Sequence, residues 1–284
     1  MKQAILITAY RHLDQLKQII DYFDDNYTFY IHIDKQSQLD WTSLQAVEGK
    51  KVSVYQKYVV RWGGVNHLKA ILFLAGEALK DNENTYFHLI SGQDFPAKSL
   101  DYFAAGFDRT KDYIRINPLP RPEWPQNGGL DRIDYYNPYD CVNAKKIVRW
   151  MNLLVRIQKA LHFKRAYPAG FPKLYGGSTW WSLTRETLQY VMDYTQNTPS
   201  TLQRMNYTFC SEELYFQTVI QNSSRKLQVV DDNLRYIDWV SCRGGRPAFL
   251  DESDFQKIVE SDALFARKFT PEIMKRFGKF LIPK

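Results

Sequence analysis

The sequence contains few cysteines. Its 284 residues include three, Cys141, Cys210 and Cys242, and no two of them form a Cys-x-x-Cys pair. Disulfide-stabilised secreted domains and cysteine-ligated zinc sites both depend on paired cysteines. We therefore expect neither a disulfide framework nor a metal cluster, and the cysteine usage is typical of a reducing, intracellular compartment.

Long hydrophobic runs are absent as well. No stretch of 18 apolar residues occurs, the length at which a membrane-spanning helix becomes a candidate. Met1 is followed almost at once by AILITA at residues 4–9, which predicts a strand and not a signal peptide. We expect a cytoplasmic protein without a membrane anchor.

Acidic charge is in the minority, and the formal net charge is +7. This balance favours anionic partners such as nucleotides, phosphates or an acidic membrane face. The basic residues do not gather into an arm, so we expect no nucleic-acid partner. Their densest group runs from Lys145 to Arg165 in a helical, partly apolar segment. A solvated helix face is the simpler interpretation of that group, and contact with a membrane surface or an acceptor is the alternative.

Hydrophobic residues make up 44% of the chain, which is enough for a sizeable core, and aromatic residues make up 15%. Aromatic-rich chains often bind sugars or other flat ligands. A large core with amphipathic rims uses the same residues, so the composition leaves both interpretations open.

The spacing of apolar residues predicts an α/β fold in a single domain over residues 1–284, because no repeat or linker interrupts the chain. Strands are expected at 4–9, 28–33, 52–55, 85–91, 179–183, 227–230 and 234–238, and helices at 12–23, 65–80, 144–161 and after Thr184, which could cap its helix. Ligands of open α/β sheets collect at the carboxyl ends of strands, so Asp34, Arg61 and Asp94 are candidates for one crevice. Segment 117–140 is rich in Pro, Asn and Tyr and predicts a long surface loop.

Two adjacent carboxylates open an apolar helix in the stretch FCSEELYFQTVIQNS, residues 209–223. We expect Ser211 to be the N-cap and Glu212 and Glu213 to occupy the first turn, where the helix dipole stabilises negative charge. That stabilisation alone is one explanation of the pair. The alternative is a functional site, because the helix is apolar on several faces and one glutamate can face a pocket while the other caps or pairs.

A group of cations lies in the turn-rich C-terminal segment: Arg243, Arg246, Arg267 and Lys268. A solvated basic surface explains such a group, and a diphosphate clamp is the functional alternative. The sequence contains no Asp-x-Asp, the pair with which metal-dependent nucleotide-sugar transferases usually hold their ion, and His32-Ile33-Asp34 offers one carboxylate. If a nucleoside diphosphate leaves here, arginine and lysine must replace the divalent ion.

Six segments, in order along residues 4–269, resemble the core-2/I-branching N-acetylglucosaminyltransferase family, which also includes the peptide O-xylosyltransferases. They are FYIHIDKQS, VVRWGGVNHLKAIL, YFHLISGQDFP, GGSTWWSLTRE, SEELYFQTVIQNS and DALFARKF. The resemblance implies a GT-A-type glycosyltransferase fold, a Rossmann-like mixed sheet with helices on both faces. It also implies an inverting transferase that uses a UDP-sugar as substrate and needs no metal or other cofactor.

The resemblance carries roles to particular residues. The catalytic base of the family falls on Glu213, and its phosphate-binding lysine falls on Lys268. The arginine that accompanies this lysine matches Arg246 best, with Arg243 as the second choice. Asp34 and Arg61 are expected on the uridine and ribose side, and Asp94 beside the donor sugar. The residues expected to contact the acceptor are Glu212, Trp180, Trp181 and the 117–140 segment, although a core position is an equal alternative for both tryptophans.

The sequence departs from its relatives at two points. The xylosyltransferases have an aspartate directly after the GGS turn, where this chain has Thr179. The animal branching enzymes have disulfides and a membrane anchor, which this chain does not show. We therefore expect a bacterial member that moves GlcNAc onto a glycan or surface polysaccharide, working from the cytoplasm and peripherally at an anionic membrane. A UDP-xylose-dependent transferase and a non-catalytic nucleotide- or glycan-binding module are the alternatives.

Overall fold

The computed structural model describes residues 2–45, 47, 49–142 and 148–281. The strands, in chain order, are β1 (Lys2–Ala9), β2 (Tyr27–Ile33), β3 (Lys51–Tyr55), β4 (Asn84–Ser91), β5 (Asp94–Pro96), β6 (Asp112–Ile114), β7 (Asn117–Pro118), β8 (Tyr175–Gly176), β9 (Trp181–Thr184), β10 (Val229–Val230), β11 (Arg235–Ile237) and β12 (Phe265–Arg267).

The α-helices are α1 (Leu13–Tyr22), α2 (Thr42–Gln45), α3 (Val65–Leu79), α4 (Leu100–Ala105), α5 (Pro125–Gly128), α6 (Asp131–Asp134), α7 (Val148–Ala160), α8 (Arg185–Asn197), α9 (Pro199–Met205), α10 (Tyr215–Gln221), α11 (Phe255–Glu260) and α12 (Pro271–Leu281). Short 3-10 turns cover Ser211–Glu213, Ser224–Gln228 and Glu252–Asp254.

A seven-stranded sheet forms the centre, with the strand order β10-β6-β9-β4-β1-β2-β3. Strands β1 to β4 run parallel to one another, and β9 runs antiparallel to both β4 and β6. The described residues also form a small sheet, β11-β12-β5, and a two-stranded ribbon, β7-β8. The sheet is therefore mixed, and the carboxyl ends of its four parallel strands share one edge.

Hydrophobic clusters cover both faces of this sheet. Along β1, Ile5 and Ile7 belong to one cluster and Ala4 and Leu6 to the other, as the two-residue period of a strand requires. The first cluster packs α1, α4, α11 and α12 against the sheet, and the second packs α3, α8 and α10. The predicted α/β class is confirmed, because the sheet is mixed and helices cover both of its faces.

Most predicted elements are confirmed with shifts of one or two residues at their ends. Thr184 caps α8 as expected, because its side chain accepts a hydrogen bond from the Thr187 N–H. The helix predicted at 144–161 is present as α7, and residues 143–147 lie outside the described part of the chain. Among the described residues, no helix combines the length and apolar character that crossing a bilayer requires.

One predicted element is wrong, and another is shorter than expected. Segment 117–140 is not a surface excursion, because it contains β7, α5 and α6 and buries Leu119, Ile133 and Tyr139. The strand predicted at 227–230 is present at residues 229–230, as β10, because a 3-10 turn extends to residue 228. In both cases tertiary packing decides the conformation of a segment whose local sequence is ambiguous.

Candidate active site

The carboxyl ends of β1, β2 and β4 bring three polar positions to one edge of the sheet. Thr8 lies at the end of β1, Asp34 directly after β2, and Ser91 at the end of β4. Backbone hydrogen bonds tie these ends together, since Asp34 N donates to Ala9 O at 2.8 Å and Gly92 N donates to Thr8 O at 3.1 Å. This edge is where open α/β sheets bind ligands.

The two glutamates reach the same edge by an unexpected route. Residues Ser211–Glu213 form a 3-10 turn that precedes α10, and the turn begins after Cys210, which has a left-handed backbone with φ of 50°. The expectation that Ser211 caps an α-helix is wrong, because its hydroxyl is buried and has no hydrogen-bond partner among the described residues. The acidic pair therefore lies in the 3-10 turn and not in the first turn of α10.

Glu213 forms an ion pair with Arg132, whose Nη1 lies 2.6 Å from Glu213 Oε2. The Glu213 side chain is 30% exposed and that of Arg132 is 11% exposed. Burial raises the pKa of Glu213 above its usual value, and the positive charge of Arg132 opposes that rise. The arginine is itself held over the Trp124 ring, 4.4 Å from the ring centre. Glu213 is thus a partly open carboxylate with a fixed cationic partner.

Glu212 faces a different partner. Its Oε1 lies 3.2 Å from His67 Nδ1, and the other ring nitrogen of His67 lies 3.3 Å from Thr8 Oγ1. These contacts join the acidic turn, Ser211–Glu213, to the end of β1 through His67 at the start of α3. Glu212 Oε2 is buried without a hydrogen-bond partner in the described part of the chain. Glu212 and Glu213 therefore project in different directions.

A buried ion pair lies after β4. Arg267 Nε is 3.0 Å from Asp94 Oδ1, and Ser91 Oγ donates to Asp94 Oδ2 at 2.5 Å. The guanidinium of Arg267 packs over the Trp180 ring at 4.1 Å. Burial lowers the pKa of Arg267, and the neighbouring Asp94 opposes the change. Asp94 is consequently anchored at the expected edge, with Arg267 between it and Trp180.

A second arginine, Arg235, supports this region through hydrogen bonds to the central sheet. Arg235 is 8% exposed and donates to the carbonyl oxygens of Leu89 at 3.0 Å and Trp181 at 2.8 Å. It also donates to Ser182 Oγ at 3.0 Å. Burial lowers the pKa of Arg235 to about 10. Arg235 therefore links β4 to β9 at the edge where Asp94 and Trp180 lie.

The two neighbouring tryptophans have different surroundings. Trp181 has no exposed surface and packs on Phe216, with the ring centres 5.1 Å apart. The expectation that Trp181 contacts an acceptor is therefore wrong. Trp180 is 8% exposed, and one of its faces is covered by Arg267. Trp180 stays an acceptor candidate only through that small exposed part.

Asp34 and Arg61 both organise the loops around the edge. The two carboxylate oxygens of Asp34 accept the N–H groups of Gln36 at 2.7 Å and Val60 at 2.9 Å. Arg61 donates to the backbone carbonyl of Asp140. The Asp140 carboxylate in turn accepts the Val65 N–H at 2.7 Å, at the start of α3. The two residues lie near the predicted crevice, and these hydrogen bonds join them to protein backbone.

The C-terminal cations divide into two groups. Arg243 is surrounded by carboxylates, because it pairs with Asp238 at 3.1 Å, with Asp254 at 2.6 Å and with Asp251. Arg246 is exposed, and its guanidinium donates to Cys242 Sγ at 3.6 Å. Three carboxylates neutralise Arg243, so the structure favours Arg246 of the two arginines as the one available to an external anion.

Lys268 lies next to the turn that carries Arg246. Its Nζ is 4.5 Å from the centre of the Phe249 ring. A Cβ atom built on Gly245 would lie 3.4 Å from the same Nζ, so the ammonium group closely approaches the residue before Arg246. The structure therefore brings Lys268 and the Arg246 turn together, as a diphosphate clamp requires.

Segment 177–180 connects the acidic turn to this basic region. Gly177 N donates to Glu213 O at 2.8 Å, and three residues later Trp180 packs against Arg267, the neighbour of Lys268. A Cβ on Gly177 would lie 1.8 Å from the Arg115 carbonyl oxygen, so only glycine permits this close approach of backbones. The segment therefore contacts Glu213 at one end and Arg267, the residue before Lys268, at the other.

Sequence reasoning missed Arg132, His67 and Arg235. Arg132 meets Glu213 across 81 positions of sequence, and it lies in a segment that was predicted to be a surface loop. His67 lies within the segment VVRWGGVNHLKAIL, but no pattern in that segment marks its polar contact. Within the described residues, no group of three or more His, Cys, Asp or Glu side chains is arranged to hold a metal ion.

The chain matches the model of the Core-2/I-Branching enzyme family over residues 4–259. It is 26% identical over 291 residues to Xylosyltransferase 2 of Mus musculus, covering 93% of this chain and 31% of that protein. It is 24% identical over 299 residues to Xylosyltransferase oxt of Drosophila melanogaster, covering 95% of this chain and 32% of that protein. The chain thus spans less than a third of the length of these relatives.

A solved structure, the apo form of mouse Xyloside xylosyltransferase 1, aligns with 93% of this chain and 96% of its own. The sequence identity is 11% and the TM-score is 0.36.

Proposed function

The chain belongs to the core-2/I-branching enzyme family and is a glycosyltransferase, and from that premise we propose that it transfers a sugar from a UDP-sugar to a hydroxyl group of a glycan or surface polysaccharide, with inversion and without a divalent metal. The arrangement around Glu213 carries the proposal. A partly exposed carboxylate with a raised pKa and one fixed cationic partner, at the ligand-binding edge of the sheet, suits a general base.

Glu213 starts the reaction. Its ionised carboxylate takes the proton of the acceptor hydroxyl while that oxygen attacks the anomeric carbon from the face opposite UDP. The new glycosidic bond forms as the bond between the anomeric carbon and the diphosphate oxygen breaks, and the electron pair leaves with UDP. Inversion follows, because one displacement occurs and no covalent enzyme intermediate forms. Arg132 orients the carboxylate and favours its ionised form.

Arg246 and Lys268 stabilise the departing diphosphate. Charge-assisted hydrogen bonds from a guanidinium and an ammonium group strengthen as negative charge develops on the leaving oxygen, which is the contribution that a metal ion makes in other transferases. The proximity of the Lys268 ammonium group to the Arg246 turn supports this assignment. Arg243 is left as a structural residue that holds the turn through its carboxylate partners.

The remaining donor contacts follow the edge of the sheet. Asp34 and Arg61 order the loops after β2 and before α3, where we place the uridine and ribose. Asp94 is held by Arg267 and Ser91, and we place the donor sugar beside it. Glu212 and the exposed part of Trp180 are our candidates for the acceptor. We place the protein in the cytoplasm.

We propose UDP-GlcNAc as the donor, because the sequence resembles the branching N-acetylglucosaminyltransferases. UDP-xylose is the second candidate, because the relatives named above are xylosyltransferases. Thr179, which is 8% exposed, stands where the xylosyltransferases have an aspartate, and this difference favours the first donor.

A ligand screen tests the donor. UDP-GlcNAc, UDP-GalNAc, UDP-xylose and UDP-glucose are added separately with EDTA present, and binding is measured by ligand-observed NMR and by the shift in unfolding temperature. We expect binding of all four through UDP and the largest shift with UDP-GlcNAc. A larger shift with UDP-xylose assigns the second donor, and binding that appears only after Mn²⁺ is added contradicts metal independence.

The Glu213→Gln variant tests the base. Glutamine keeps the shape of the side chain but cannot accept the proton, so we expect unchanged UDP affinity and a loss of transfer on the order of 10² or more. Glu186→Gln, the same change at an exposed position of α8, is the control, and it should retain the turnover rate. Both are measured by UDP release with EDTA present. Full activity of Glu213→Gln would place the base elsewhere.

A further inference from the structure

Helix α7 leaves a hydrophobic face uncovered. The large apolar side chains on it are Trp150, 68% exposed, Leu153, 43% exposed, Ile157, 47% exposed, and, just beyond the helix, Leu161, 73% exposed. Their spacing of three, four and four residues places them on one side of the helix. We name these four residues the apolar stripe. The buried residues of α7 are Met151 and Gln158, which lie about 100° around the helix from the stripe, so a different side of α7 contacts the rest of the protein.

Arginines flank the apolar stripe. Arg149 and Arg156 are exposed and seven positions apart, so they project in nearly the same direction, beside the stripe. No ion pair joins either arginine to another residue of the described ranges. Lys159, in contrast, pairs with Asp131 at 2.5 Å. Two uncompensated positive charges therefore border the exposed apolar surface.

The positive charge of this surface favours an anionic bilayer over a second copy of the chain as its partner. A second copy of the chain, docked face to face, would bring Arg149 and Arg156 against the same charges of its partner. An anionic bilayer offers both complements, acyl chains for the apolar stripe and negatively charged headgroups for the arginines. Trp150 fits the same environment, because indole rings favour the headgroup level of a membrane.

We propose that α7 docks this protein on an anionic lipid bilayer. The helix lies in the plane of the interface, the apolar stripe enters the boundary of the acyl region, and Arg149 and Arg156 contact lipid phosphates. This inference goes beyond the proposed transfer reaction, since it assigns a surface that takes no part in the chemistry. It gives a structural basis for the expectation of a peripheral position at the membrane.

The docking helix is firmly joined to the active site. Tyr136 N donates to Gln158 Oε1 at 2.8 Å, and Gln158 Nε2 donates to Tyr136 O at 3.1 Å. Lys159 pairs with Asp131, which is the neighbour of Arg132. The helix therefore packs on the segment that carries the partner of Glu213, and a bilayer bound to α7 would lie at a fixed position relative to the base.

Vesicle flotation tests the charge requirement. The full chain is mixed with vesicles of phosphatidylcholine alone or of equal parts phosphatidylcholine and phosphatidylglycerol, and the bound fraction gives a partition coefficient. We expect binding to the anionic vesicles that weakens with salt. Arg149→Gln with Arg156→Gln should lower the partition coefficient about fivefold for each charge removed. Lys275→Gln with Lys279→Gln, an equal change at exposed positions of α12, should leave it nearly unchanged.

A second pair of variants tests the apolar stripe. Leu153→Gln with Ile157→Gln should abolish flotation, whereas Leu227→Gln with Val240→Gln, at positions 76% and 90% exposed elsewhere, should not. The unfolding temperature and UDP binding confirm that each variant is folded. The proposal is overturned if wild-type protein does not float with anionic vesicles, or if both charge pairs reduce binding equally. A concentration-dependent dimer that Leu153→Gln with Ile157→Gln abolishes, without vesicle binding, would assign the surface to a second copy.

Discussion

Two opposing influences act on the carboxylate of Glu213. Its burial raises the pKa, and the positive charge of Arg132 at 2.6 Å lowers it. A general base must be ionised at the working pH and still hold a proton in the transition state, so its pKa is best placed near that pH. The contact with Arg132 therefore helps to set the pH range in which Glu213 can act.

Arg132→Gln removes the lowering influence. Glutamine carries no charge, so the pKa of Glu213 rises further above its usual value. A base is active when deprotonated, and the acid limb of the pH profile of kcat/KM should consequently move to higher pH. Arg132→Lys keeps a positive charge and should move the limb less. The measurement is UDP release as a function of pH for the three proteins. An acid limb at the same pH in all three would show that Arg132 does not act on the base.

Single residues were predictable from the sequence where a local motif contains them. Glu213 lies in such a motif, and so does Lys268, whereas Arg132 meets its partner across 81 positions and no local pattern marks it. Trp181 was assigned wrongly for a related reason. Its burial against Phe216 depends on a contact 35 positions along the chain, and no local pattern marks such a contact.

At the scale of elements, the connection between β8 and β9 positions the base. Its Gly177 N–H holds the Glu213 carbonyl, and its backbone passes so close to Arg115 that no side chain fits. The GGS turn was predicted as a glycine turn, and the structure supplies the reason that one of its glycines is needed. Helices with clear periodicity, such as α1 and α3, were also predictable, because each buries a stripe set by its own sequence.

Gly177→Ala should damage both stability and activity. The added Cβ would lie 1.8 Å from the Arg115 carbonyl oxygen, and the backbone must shift to admit it. We expect a loss of about 1–3 kcal/mol in the free energy of unfolding, with reduced turnover because Glu213 moves. Gly76→Ala is the control, since its Cβ would meet Met192 Cε at an ordinary 3.5 Å within α3, and it should be neutral or stabilising. Urea unfolding and UDP release measure both effects, and wild-type values for Gly177→Ala would refute the account of this turn.

On the scale of the whole molecule, a polar chain crosses the hydrophobic interior beside the central sheet. Arg235 donates to Ser182 Oγ, which lies 2.8 Å from His88 Nδ1, and His88 Nε2 lies 2.8 Å from Gln3 Oε1. His88 is fully buried, and burial lowers its pKa well below the usual value. A neutral ring satisfies both contacts, because Ser182 can donate to Nδ1 and Nε2–H can donate to Gln3.

Buried neutral histidines make stability depend on pH. Burial lowers the pKa of His32 to about 4, and its Nε2 accepts the Tyr58 N–H at 3.0 Å. The pKa of His32 is lower in the folded protein than in the unfolded chain. The contribution of neutral His32 to the free energy of unfolding is therefore fully present above pH ~6.5 and declines as the pH falls towards 4. Between pH 6 and 5, the free energy of unfolding of the wild type should fall as the pH falls. In His32→Gln that fall should be smaller by about 1.4 kcal/mol per pH unit. Equal slopes in urea titrations would contradict the assignment.

The order of the central sheet could not be predicted from the sequence. The positions of β1 to β4 follow from alternating strands and helices, but β9 inserts between β4 and β6 through pairings such as His88 with Ser182, 94 positions apart. Such contacts depend on the assembled core. The class of the fold could be predicted because local periodicity suffices for it.

The central claim is that C-terminal cations replace a divalent ion beneath the diphosphate. Calorimetric titration of UDP with EDTA present tests it most directly, in wild type, in Lys268→Ala and in Lys257→Ala, an exposed lysine of α11 as the matched control. We predict that wild type and the control bind equally and that Lys268→Ala loses about 1.5–3 kcal/mol of binding free energy, the worth of a charge-assisted hydrogen bond. Equal affinities in all three proteins, or UDP binding that requires Mn²⁺, would contradict the account.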